Sequence, residues 1–129
     1  MRYLLDTNVL IWALSATERL DAATRALLQS PDNEVAFSAV SIWEIAIKTR
    51  LGRTDFQIRP EVAIREAQDI GFIELPLVAL VACRVADLPL HHGDPFDRLL
   101  IAQAMAGPMH FLTTDQVLQQ YSELVTLVG

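Results

Sequence analysis

The chain has 129 residues, 52% of them hydrophobic and 20% charged, with a formal net charge of −6. It is long enough for one globular domain with a core of its own, and too short for two. One cysteine, Cys83, excludes a disulfide framework and a cysteine-based zinc site. The longest apolar region, Leu75 to Leu90, is broken by Pro76, Arg84, Asp87 and Pro89, which excludes a membrane span.

Met1 leads directly into a strand-like run without a signal-peptide pattern, so a reducing, cytoplasmic setting is expected. Arg2 to Leu5 reads as a strand ending in Asp6-Thr7-Asn8, and Val9 to Leu14 as the first turns of a helix. Asp21 caps a helix over Ala22 to Gln29, and Ser30-Pro31-Asp32-Asn33 supplies turn chemistry. Glu34 to Phe37 is strand-like, and Ser38 or Ser41 can cap a helix that runs to Leu51 before Gly52 stops it. A looser stretch, Arg53 to Arg59, precedes a helix from Pro60 to Ile70, closed by Gly71. Phe72 to Leu75 is a strand and Leu77 to Asp87 a helix. Asp94-Pro95 opens a helix to Ala106, followed by a strand over His110 to Thr113, a short helix over Gln116 to Tyr121 and a last strand over Leu124 to Val128.

Alternating elements with short, wholly apolar strands predict an open α/β parallel sheet with helices on both faces, in a single domain over residues 1–129. Ligands of such sheets bind beyond the carboxyl ends of the strands. Asp6 and Asp115 each follow a strand and belong at that edge. Glu44 lies in Ser41-Ile42-Trp43-Glu44-Ile45-Ala46-Ile47, where apolar residues on both sides leave little of the helix to face water; Lys48, one turn on, can be its ion-pair partner or can steady a phosphate. Asp94 is accepted as an N-cap, whereas Asp97 shares its helix face with Ile101 and Ala104, the side that packs inward.

Carboxylates gathered from four distant segments repel one another, and a divalent cation reverses that sign. All-oxygen donors suit Mg²⁺ or Mn²⁺ better than zinc, and such a site can activate water and hold a phosphate oxygen. Four of the six excess negative charges are then one local feature, so the acidity argues against tight non-specific nucleic-acid binding without excluding a phosphodiester substrate.

Leu4-Leu5-Asp6-Thr7-Asn8, the glutamate in Ser41-Ile42-Trp43-Glu44-Ile45, the stretch from His91 to Ala104 with Asp94-Pro95-Phe96-Asp97-Arg98, and Leu112-Thr113-Thr114-Asp115 resemble, in order and spacing, the PIN-domain nucleases. They look most like the VapC-type toxins of toxin–antitoxin pairs, and the resemblance covers the full chain. It implies a PIN-like fold, a Mg²⁺- or Mn²⁺-dependent endoribonuclease, a cognate antitoxin, an RNA substrate and a homodimer. By motif match Asp6, Glu44, Asp97 and Asp115 correspond to the family's acidic quartet. Asp6 and Asp97 are expected as the closest metal ligands, with Glu44 and Asp115 acting through water. Thr7, Asn8, Thr113 and Thr114 are candidates to hydrogen-bond the acids, with ordinary turn chemistry favoured for Asn8 and Thr113. Arg98 is a candidate phosphate contact or a surface ion pair.

Adjacent residues of an extended loop point in different ways, so His91 and His92 are expected to be structural. Trp12 and Trp43 read as core or interface residues. A haloacid-dehalogenase phosphatase would need an aspartate where Asn8 stands, and the pattern of a receiver domain is absent. A non-catalytic PIN-like binding module and a housekeeping PIN nuclease are the remaining alternatives, the first disfavoured by the intact quartet.

Overall fold

Five short strands, β1 (Arg2–Leu5), β2 (Glu34–Ser38), β3 (Ile73–Leu75), β4 (His110–Thr113) and β5 (Val125–Leu127), frame the computed structural model, which describes residues 1–52 and 58–128. They form one all-parallel sheet in the order β3-β2-β1-β4-β5. Parallel neighbours need crossovers, and the chain supplies them with α1 (Thr7–Ser15), α2 (Ala22–Gln29), α3 (Ala39–Arg50), α4 (Pro60–Ile70), α5 (Ala79–Cys83) and α6 (Pro95–Ala106). The α/β parallel sheet expected from the sequence is borne out. Of the loose stretch expected over Arg53 to Arg59, residues 53–57 lie outside the described residues.

Strand parity divides the apolar side chains into two cores. Tyr3 and Leu5, Val35 and Phe37, and Leu112 point to one face, where they meet Val9, Leu10 and Ala13 of α1, Ile45 of α3 and Ala63 and Ala67 of α4. Leu4, Ala36 and Phe111 point to the other, against Leu100, Ile101 and Ala104 of α6. Both faces of the central strands are covered, which is why β1 is buried from Tyr3 to Leu5 although its residues do not alternate in polarity.

Local chemistry sets the element ends. Asp6, Asp21, Ser38 and Asp94 each accept a backbone N–H from the first turn of α1, α2, α3 and α6. Ser38, not Ser41, caps α3. Gly71 closes α4 at φ 106°, a left-handed conformation open to glycine without a Cβ clash. The helix expected over Leu77 to Asp87 is shorter: α5 ends at Cys83 and tightens into a 3₁₀ turn over Arg84–Asp87. The helix expected over Gln116 to Tyr121 is likewise a 3₁₀ turn, Gln116–Gln120. Both segments are too short to gain from cooperative α-helical propagation.

The topology brings four segments to one edge. β1 is central, with the chain building outward to β2 and β3 on one side and to β4 and β5 on the other, so the β1/β4 crevice is the switch point of the sheet. α3 leaves β2 at its carboxyl end. α6 feeds β4 and therefore runs antiparallel to it, which sets its N-terminus above the same edge. A buried pair ties these elements together: the Ser38 hydroxyl at the end of β2 donates to Oε1 of Gln103 in α6, whose amide donates to the Pro76 carbonyl.

Candidate active site

At the end of β1, Asp6 is buried with both carboxylate oxygens occupied. Its Oδ1 accepts the Thr7 N–H at 2.8 Å and its Oδ2 accepts the Thr113 hydroxyl at 2.6 Å. Register explains the second contact. Leu5 pairs with Leu112, so the next residues, Asp6 and Thr113, lie opposite one another and extend the parity of Leu4 toward the α6 face. Thr113 also accepts the Asp115 N–H at 3.0 Å, which fixes the start of the loop that carries the last acid.

Glu44 is 4% exposed although Trp43 beside it is 53% exposed. The helix turns the acid inward and the indole out, the reverse of an apolar-in pattern. One carboxylate oxygen accepts the Thr7 hydroxyl at 2.6 Å and the other the Lys48 ammonium at 2.6 Å. Ser41 Oγ lies 2.9 Å from Thr7 Oγ1 and completes the hydroxyl's partners. With Glu44 buried and Lys48 partly exposed, the pair is more than a surface i,i+4 contact, because removing Lys48 takes the ammonium from a carboxylate held away from water.

Asp97 stands in the first turn of α6 with its side chain 13% exposed. It has no hydroxyl or ammonium donor among the described residues, and His92 Nε2 lies 3.6 Å from its Oδ2. Burial first, then the charges of Asp6, Asp94, Glu44 and Asp115, push its carboxyl up to about 8. Burial also raises Asp6, to about 6, with Glu44 and Asp115 adding to the rise and the hydrogen bonds from Thr113 and Thr7 opposing it. The four acids named from the sequence therefore lie in one electrostatic neighbourhood. Asp115 is the most open of them, and its Oδ2 lies 3.1 Å from His92 Nε2.

Burial, with like charge added, pushes Asp6 and Asp97 toward neutrality, a cost that a cation would relieve. The oxygen donors suit a hard divalent ion.

A family model described as the PIN domain matches residues 3–124. The chain belongs to the PIN domain family. Among solved structures, this PIN domain is similar to a chain in the crystal structure of VapBC2 from Rickettsia felis bound to a DNA fragment from their promoter, with a TM-score of 0.69 over 98% of this chain and 97% of that chain, at 15% identity. No curated protein matches it in sequence.

Several expectations for the surrounding residues change. Arg98 pairs with no acid among the described residues: its guanidinium donates to the carbonyls of Pro89, Val85 and Leu88 and to the Tyr121 hydroxyl. One position along a helix is a turn of about 100°, so the neighbour of an inward acid looks elsewhere. Asn8 is exposed, and its side chain makes no hydrogen bond to the acids among the described residues; it lines a groove of about 820 Å³ with Ile11, Trp12 and Val62 instead. Thr114 is exposed, and the threonine that holds the acid is Thr113. Of the core or interface places expected for Trp43, the core is excluded by its exposure; its ring meets Phe96 edge-on at 5.0 Å. His92 was expected to be structural, yet its imidazole lies between Asp97 and Asp115. His91 does turn away, onto the Tyr121 ring.

Among the described residues no helix is long and apolar enough to cross a membrane.

Proposed function

We propose that this PIN domain is a Mg²⁺- or Mn²⁺-dependent endoribonuclease and the toxin of a toxin–antitoxin pair, held inactive by a cognate antitoxin. The observation that carries the nuclease reading is that the buried Asp6 and Asp97 both feel the charges of Glu44 and the more open Asp115 at one sheet edge, with Asp97 pushed up to about 8 by burial and like charge. Membership of the PIN family supports the same reaction class, and likeness to a chain of a VapBC complex supports the toxin assignment.

In this reading Asp6 and Asp97 hold the ion most closely, and Glu44 and Asp115 act through water or orient the attacking water. A bound Mg²⁺ or Mn²⁺ supplies charge neutralisation at the phosphate and an acidified water. The protein's own part is preorganisation. Thr113 and the Thr7 N–H fix the Asp6 carboxylate, while the Thr7 hydroxyl and Lys48 fix Glu44. Thr7 thus ties two acids from different elements, one through its amide and one through its hydroxyl. The sheet edge leaves Asp115 at the rim, where an RNA phosphodiester approaches.

A homodimer is part of the proposal, consistent with the exposed apolar side chains of Val78 and Leu80 around α5.

The purified full chain should cleave a single-stranded RNA oligonucleotide in Mn²⁺ or Mg²⁺ and not in EDTA. Asp6→Asn should abolish cleavage while the circular dichroism spectrum stays that of the wild type. Full activity in EDTA, or in the folded variant, refutes the reading.

A further inference from the structure

His92 is one of three residues whose ligand atoms, with those of Asp97 and Asp115, lie within 4.8 Å of one another. On distance alone it would be a third metal ligand. Its other nitrogen argues otherwise. The backbone N–H of Asp94 donates to His92 Nδ1 at 3.0 Å, so Nδ1 carries a lone pair and the proton of the neutral ring sits on Nε2. Nε2 is the atom that faces the carboxylates, 3.1 Å from Asp115 Oδ2 and 3.6 Å from Asp97 Oδ2. A protonated nitrogen donates; it cannot bind an ion.

The ring is also held in place. Tyr121 Oη accepts the His92 N–H at 2.9 Å and the Arg98 guanidinium at 3.1 Å, and gives its own proton to the His92 carbonyl at 3.4 Å. Arg98 in turn spans the carbonyls of Val85, Leu88 and Pro89. The loop before α6 is thereby pinned to α6 itself and to the segment after β4, the two segments that carry Asp97 and Asp115.

We propose that His92 is a positioning residue whose Nε2–H faces the Asp97 and Asp115 carboxylates, keeps these two acids of different elements together and holds them ready for the divalent ion, with Arg98 and Tyr121 fixing the loop that carries it. The proposal rests on the nuclease reading above and adds to it a fifth residue and its role. Like charges on separate segments spread apart unless something bridges them. Outer partners that orient ligand carboxylates are worth about 10- to 100-fold in metal affinity.

Two substitutions separate donor from ligand. In His92→Asn the amide oxygen can take the place of Nδ1 and keep the bond from the Asp94 N–H, while nothing reaches the carboxylates. In His92→Gln the amide nitrogen stands as many bonds from Cβ as Nε2 does and restores a donor there. Calorimetric titration of the purified full chain with Mn²⁺ is expected to show affinity weakened about tenfold or more in His92→Asn and close to the wild type in His92→Gln, with unchanged circular dichroism in both. Nitrogen NMR of the wild-type imidazole is expected to find the proton on Nε2. Wild-type affinity in His92→Asn overturns the proposal, as does a loss in His92→Gln as deep as in His92→Asn, which would make His92 a ligand. A proton on Nδ1 overturns it too. If the wild type binds Mn²⁺ and Asp6→Asn does not, while His92→Asn binds normally, only this proposal falls. If the wild type binds no Mn²⁺, the nuclease reading falls and takes this one with it.

Discussion

Replacing Asp97 by asparagine removes the carboxyl that burial and its neighbours disfavour most, and the sign of the effect depends on pH and on metal. The folded group titrates at about 8 against an ordinary value of 3.8. A raised pKa means the fold binds the proton more tightly than the unfolded chain does, so the stabilising contribution is complete below about pH 4 and is lost as the pH climbs to 8. About four units at 1.36 kcal/mol each set a limit of roughly 6 kcal/mol. Part of the shift is repulsion from Asp6, Asp94, Glu44 and Asp115, which relaxes as those side chains move, so roughly 2–4 kcal/mol is the expected loss in the metal-free protein. For a chain of this length that is on the order of 10 °C in Tm. Thermal melts of wild type and Asp97→Asn in EDTA between pH 5 and 8 test it. The wild type should lose stability across the range, the variant should lose less and chiefly below about pH 6, where Asp6 still titrates, and the gap should move in the variant's favour as pH rises further. Adding Mn²⁺ at pH 8 should raise the wild-type Tm and leave the variant nearly unmoved, because the ion binds only the folded cluster. Parallel curves in EDTA, or an equal Mn²⁺ response, would refute the repulsion argument.

Other substitutions probe the supports. Thr113→Val leaves Asp6 Oδ2 without its hydroxyl donor; stability should fall by roughly 1–3 kcal/mol, and Mn²⁺ binding should weaken most at low pH, since losing that bond raises the Asp6 carboxyl further. Arg98→Met removes the donor to three carbonyls and to Tyr121, so chemical denaturation should show a loss of roughly 2–4 kcal/mol while the salt dependence of RNA binding stays at the wild-type slope. A slope reduced by about one with stability intact would return Arg98 to a phosphate contact. Light scattering should find a dimer at micromolar concentration, and a monomer throughout that range contradicts the self-association proposed here.

Local signals carried much of the fold. Short apolar strands, aspartates before helices and a proline at the first helical position marked the α/β pattern and most boundaries correctly. Asp6 and Asp115 could be set at the sheet edge because each follows a strand, and the neighbours of Asp97 pointed inward. The supports were harder to read. The choice of Thr113 over Thr114 follows from the Leu5–Leu112 register, a pairing between residues more than a hundred positions apart. Glu44 is buried although the residue before it is exposed, because α3 meets α1 and α6 on only part of its circumference. His92 depended on the path of an irregular loop and on a side-chain-to-backbone bond two residues away, neither of which leaves a periodic trace. Arg98 adjoined a candidate ligand in sequence while its helical position turned it toward loop carbonyls.

The central claim, that four carboxylates form one divalent-ion site, is tested most directly by manganese anomalous scattering from crystals grown with Mn²⁺. A peak against the carboxylates of Asp6 and Asp97 is the predicted result. Bound manganese only elsewhere on the surface, or none at concentrations that support RNA cleavage, would contradict it.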